Sequence, residues 1–218
     1  MKPYKLLNIC ILCLVLFLSI GCNRSPVESA KKGLENQVEG TENQKEKVTP
    51  LLAEKPASDP VSEEALRQAA LDGIITEVNK HLEAGAAVDA LDPDGHTALM
   101  FAAFNGHSEV VLRLLEEGAD LENRDFMDRT ALLYASTGPF PETVKILLDK
   151  GALPNVVDSD EHFSPLMHAA AEGNLGVVKI LIEFGADLSL MDVDGDDAES
   201  FARQAGHPQV ADYLHSIR

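Results

Sequence analysis

From about residue 61 onward the 218-residue chain repeats itself at an almost constant interval. Gly85, Gly118, Gly151 and Gly185 stand 33, 33 and 34 residues apart, and each is followed by alanine and then by a turn rich in Asp. A fixed period of this length marks a stack of supersecondary units, none of which can bury its apolar face without a neighbour. That constraint sets the architecture before any chemistry is considered.

Within one period, Val110, Val111, Leu114 and Leu115 recur at helical spacing and supply one apolar stripe. Paired alanines such as Ala102-Ala103 let a short preceding helix lie close to its equivalent in the next unit. Gly118, Gly151 and Gly185 fall just past a helix end, where a left-handed residue is commonly required. The turns Asp92-Pro93-Asp94-Gly95, Asp125-Phe126-Met127-Asp128, Asp158-Ser159-Asp160-Glu161 and Asp192-Val193-Asp194-Gly195 carry the composition of tight turns.

The stretch Asp94-Gly95-His96-Thr97-Ala98-Leu99-Met100-Phe101-Ala102-Ala103, continuing through Gly106-His107 to Gly118-Ala119-Asp120, resembles the ankyrin repeat. Many fixed offsets agree at once, and they recur at Ser164-Pro165-Leu166-Met167-His168-Ala169-Ala170 with Gly185-Ala186-Asp187. The resemblance implies an all-α repeat solenoid, an array of helix-turn-helix units with hairpin-like turns. We count about five units over residues 61–218, starting near Ser62, Gly95, Asp128, His162 and Gly195. The end units read as caps, since Glu63-Glu64-Ala65-Leu66 and Asp197-Ala198-Glu199-Ser200 depart from the pattern with polar residues.

The N-terminus opens with Lys2 and Lys5 and then an apolar run from Leu6 to Ile20, the length of a signal peptide. Leu18-Ser19-Ile20-Gly21-Cys22 resembles the lipobox of bacterial lipoproteins, in which cleavage precedes a lipidated cysteine. Residues 1–21 are thus expected to be a lipoprotein signal, with Cys22 carrying the lipid. Cys10 and Cys13 would leave with the signal, so no intramolecular disulfide is expected. An ordinary signal or uncleaved anchor is the alternative. Residues 23–60 show no sustained apolar period and are rich in Lys, Glu, Gln, Asn, Ser and Pro, the composition of a disordered tether. Such a tether would reach roughly 35 Å. The expected location is the bacterial cell envelope, facing the periplasm, with the outer membrane favoured because Asn rather than Asp follows Cys22.

After residue 60 the chain has 10 basic against 29 acidic side chains. This field repels nucleic acid and anionic headgroups and suits a basic protein partner, or it serves solubility alone. No His pair has zinc-site spacing, and Asp192-Val193-Asp194-Gly195-Asp196-Asp197 lacks the glycine and glutamate of a calcium loop. Ser108, Ser136 and Ser164 lie in no nucleophile motif. No catalytic residue, metal, cofactor or small-molecule substrate is expected, and the array is expected to be a monomer that binds another protein.

The resemblance places a concave binding face on the turn tips and the exposed side of each first helix. Gln68, Phe101, Tyr134, His168 and Phe201 occupy equivalent positions, forming either an aromatic ladder across that face or ordinary packing between first helices. The resemblance puts Phe104, Phe126, Met127 and Phe163 at sites where the family pattern is variable and usually exposed, and with Arg129 they form the preferred contact patch. Phe140, set between Pro139 and Pro141 in a turn that breaks the pattern, is a further contact candidate. The reading is a lipid-anchored scaffold or accessory factor, with an immunity-like inhibitor of a basic toxin or hydrolase as the alternative.

Overall fold

The computed structural model describes residues 60–218; the expected signal peptide, Cys22 and nearly all of the tether lie outside the described residues. Ten helices follow in five pairs: α1 (Pro60–Asp72) and α2 (Ile75–Glu83), α3 (Ala98–Phe104) and α4 (Ser108–Glu116), α5 (Ala131–Ser136) and α6 (Pro141–Asp149), α7 (Pro165–Ala171) and α8 (Leu175–Glu183), α9 (Ala198–Ala205) and α10 (Pro208–Ser216). Each first helix packs on the first helix of the next unit, and the second helices stack in the same way. The result is the all-α repeat array expected from the period. Among the described residues no helix is long and apolar enough to cross a membrane.

Small side chains set the spacing between units. Ala69, Ala70, Ala102, Ala103, Ala135, Ala169, Ala170 and Ala202 are all buried in the layer of first helices. Ser136 replaces the second alanine of its pair and stays buried because its hydroxyl donates to the Leu132 carbonyl at 2.8 Å. The second helices contribute Val78, Val110, Val111, Leu114, Val144, Leu147, Val177, Val178, Leu181 and Leu214 to the same continuous core. Leu114, Leu147, Leu181 and Leu214 are completely enclosed, so truncating any one to alanine is expected to cost about 2–5 kcal/mol.

The first helices α3, α5, α7 and α9 begin at side-chain caps, which fixes where each hairpin ends. Thr97, Thr130, Ser164 and Asp197 accept the backbone N–H of Met100, Leu133, Met167 and Ser200. At the other end of the unit, Gly118, Gly151 and Gly185 adopt φ of +94°, +100° and +85°, as their place past a helix end requires.

Four hairpins project from the stack, each closed by one backbone bond: Asp92 to His96, Asp125 to Arg129, Asp158 to Phe163 and Asp192 to Asp196. One further backbone bond joins each tip to the next, from Phe126 to Asp94, Ser159 to Met127 and Val193 to Glu161. The third hairpin absorbs the extra residue noted in the sequence, closing six residues from Asp158 to Phe163 instead of five.

The third unit's irregular turn has a packing role. A Cβ at Gly106 would lie 2.2 Å from the Phe140 ring, and one at Gly138 would lie 2.3 Å from it, so the ring rests directly on both glycines. His107 and His207 occupy the same place over Gly73 and Gly173. Gly106→Ala therefore collides with Phe140 and also forces alanine to φ +70°. It is expected to lower stability by about 2 kcal/mol or more in urea unfolding.

Asp128 and His162 hold positive φ (59° and 60°) at the tip position that Gly95 and Gly195 fill elsewhere. His162→Gly removes that strain and is expected to stabilise the array by about 0.5–1 kcal/mol. An unchanged or lower unfolding midpoint would contradict this.

Candidate interaction surface

At each tip one carboxylate organises the backbone. Asp92 Oδ1 accepts the N–H of Asp94 and of His96, both at 2.8 Å. Asp125 does the same for Met127 and Arg129, Asp158 for Glu161 and Phe163, and Asp192 for Asp194 and Asp196. The second oxygen of Asp125 gathers the Arg129 guanidinium, through Nε and Nη2 at 2.7 Å each, and the Tyr134 hydroxyl at 2.6 Å. His96 Nδ1–H donates to Asp92 Oδ2, 2.9 Å away, and its other ring nitrogen lies 3.6 Å from Asp125.

These contacts set the protonation of the buried groups. Burial opposes ionisation of Asp125, but the hydrogen bonds from Tyr134 and Arg129 outweigh it and hold the carboxyl below its usual range. Burial likewise works against Asp92, and the bonds from His96 and Asp94 again prevail. Tyr134 is pushed up, first by burial and then by the Asp125 charge. Asp158 receives backbone donors alone, and burial raises it. His168, 4.0 Å from Asp158 and packed edge-on to Phe163, is lowered to about 4 by burial and by the Arg129 charge.

The sequence-derived contact residues therefore separate into two groups. Arg129, Tyr134, Phe163 and His168 are buried and hold the hairpins to the first helices. Phe163 lies edge-on to Phe201 at 5.0 Å, Tyr134 lies edge-on to Phe104, and Arg129 sits 4.9 Å above the Tyr134 ring. The aromatic ladder is thus packing from Tyr134 through Phe201, and these residues offer a partner no contact area in this conformation. The expectation of an exposed Phe163 is corrected, because Phe163 closes its hairpin as His96 and Arg129 close theirs, and all three closing residues are buried. Phe101, Phe104, Met127 and Phe140 are half-buried.

Phe126 is the outlier, 73% exposed with its ring against Gly95 of the neighbouring hairpin. Leu91, Met191 and Val193, exposed by 52%, 58% and 54%, were not singled out from the sequence. All four residues flank a turn Asp on one side or the other, and aligning the hairpins on that Asp would have found them. Asp94, Asp128, Asp160 and Asp194 are exposed on the same tips. Asp92, Asp94 and His96 lie close enough to hold a cation, but Asp92 already spends its oxygens on the turn's own donors, so the cluster is accounted for by hairpin closure.

A family model for ankyrin repeats in three copies matches residues 66–158 and 141–217. The Notch-regulated ankyrin repeat-containing proteins of Xenopus tropicalis and Xenopus laevis are each 41% identical to the chain over 49 residues, which is 22% of this chain. The match spans 43% of the length of those relatives.

Two outcomes test the buried network. Asp125→Ala leaves the Arg129 guanidinium buried without its carboxylate and is expected to cost about 3–5 kcal/mol. His168 titrates near 6.5 when unfolded and about 4 when folded, so its neutral form contributes stability above pH 6.5 that is lost as pH falls toward 4. Asp158, raised in the fold, acts in the opposite sense and gains on protonation. His168→Phe is expected to flatten the loss of stability between pH 6.5 and 4 in urea titrations; an unchanged slope would show that His168 does not cause it.

Proposed function

The chain belongs to the ankyrin-repeat family, and from that membership we propose that it works without catalysis, as an adaptor that holds another protein near a membrane. The observation that carries this reading is the exposure of Phe126 on a tip whose backbone is fixed from beneath. A large aromatic side chain held in water on a rigid support gives a partner an anchor at little ordering cost. Phe101, Phe104, Met127 and Phe140 border the patch as half-buried neighbours.

The lipobox-like Leu18-Ser19-Ile20-Gly21-Cys22 supports attachment through lipid on Cys22, with residues 23–60 as tether and the array facing the periplasm. A tether of this length holds the array at an effective concentration on the order of millimolar around a membrane-associated target. The strongly acidic array favours a second reading, in which the bound partner is a basic toxin or hydrolase that the array blocks.

Two measurements test these readings. Labelled palmitate should enter the wild-type chain and not Cys22→Ser, with the variant moving from the membrane to the soluble fraction; equal labelling would remove the anchor from the account. Crosslinking in intact cells should capture a partner with wild type and lose it with Phe126→Asp. A partner enzyme whose turnover stops on binding supports the inhibitory reading, and one whose turnover persists supports the adaptor.

A further inference from the structure

Four exposed apolar side chains lie along the tips, beginning with Leu91 beside the turn Asp of the first hairpin. Phe126 directly follows the turn Asp of the second hairpin, and Met191 and Val193 bracket the turn Asp of the fourth. The hairpin between them presents Ser159, Asp160 and His162 instead, all exposed, with Glu161 beside them, and Asp128 stands exposed on the Phe126 side. From the second hairpin to the fourth the surface therefore reads apolar, acidic, apolar.

Distance and charge limit what fits this pattern. Packed helices lie roughly 10 Å apart, so two steps along the stack separate the apolar sites by about 20 Å. An extended chain rises about 3.3 Å per residue and covers that span in about six residues. Alternate residues of an extended chain face the same way, which leaves two inward positions between the anchors, opposite Asp128 and Asp160. A second copy of this chain, with a net charge of -18, is repelled, as is an anionic lipid surface.

We propose that the tips seat an extended, basic segment of another protein, with apolar side chains about six residues apart resting on Phe126 and on Met191 and Val193, and Lys or Arg between them. This deepens the protein-binding reading above and rests on it. The acidic tips speed encounter and select against acidic segments, while the two apolar sites set the register.

The test titrates the full chain, in mild detergent, into fluorescein-labelled Gly-Leu-Ser-Lys-Ser-Lys-Ser-Leu-Gly and reads anisotropy. Comparison peptides replace Lys with Glu, bring the leucines three residues apart, or set them thirteen apart in a helix-forming sequence. The first peptide is expected to bind at least tenfold tighter than each of the others. Phe126→Asp and Val193→Asp should each weaken it at least tenfold while leaving the thermal midpoint unchanged. No binding, equal binding of the Glu peptide, or preference for the helical peptide overturns the proposal. So does self-association, or uptake into phosphatidylcholine vesicles, that Phe126→Asp abolishes, since either gives the tips to a different occupant. A partner captured in cells equally well by wild type and Phe126→Asp would remove this proposal and Phe126 as the anchor while leaving protein binding elsewhere on the array, whereas capture of no partner would remove both readings.

Discussion

The array depends on one recurring contact, a carboxylate oxygen that accepts two backbone N–H groups across each hairpin. Asp92, Asp125, Asp158 and Asp192 stand at the same place in successive units, and each fixes its tip in this way. Fixed tips present the backbone groups that join one hairpin to the next through Asp94 and Phe126, Met127 and Ser159, and Glu161 and Val193. A carboxylate so enclosed needs compensation for lost hydration. Asp125 obtains it from Arg129 and Tyr134 and Asp92 from His96, so at both the donors outweigh burial and lower the carboxyl, whereas Asp158 has backbone donors alone and burial raises it.

Much of this was legible in the sequence because it is local. The period, the glycines past the second helices and the Asp-rich turns are each set by residues within a few positions of one another. The apolar stripe at Val110, Val111 and Leu114 is local in the same sense. The fates of the aromatic residues were not legible, since they are decided between units about 33 residues apart. Phe140 rests on Gly106 of the preceding unit, and Phe163 turns inward against Phe201 of the following one. Tyr134 reads as a groove residue by alignment and is buried because its hydroxyl finds Asp125 on the hairpin. The exposure of Leu91, Met191 and Val193 could have been inferred by aligning hairpins on their turn Asp, a comparison of tips in place of helices.

Structure and proposed function meet at the tips. The buried side of each hairpin is committed to its turn Asp, joined at the second hairpin by Arg129 and Tyr134 and at the first by His96, so the outward side is free to vary without loss of fold. Leu91, Phe126, Met191 and Val193 are the large apolar side chains exposed there, set among carboxylates that repel chains of like charge. A rigid support with a small number of exposed anchors favours binding by limiting what must be ordered on association.

The most direct test of this account places a photocrosslinking amino acid at Phe126 in one version of the full chain and at Leu112, an exposed residue of α4, in another. Irradiation of intact cells should give one discrete adduct from the Phe126 position and none from Leu112. An adduct from Leu112 alone would move binding to the second helices and contradict the role given to the tips.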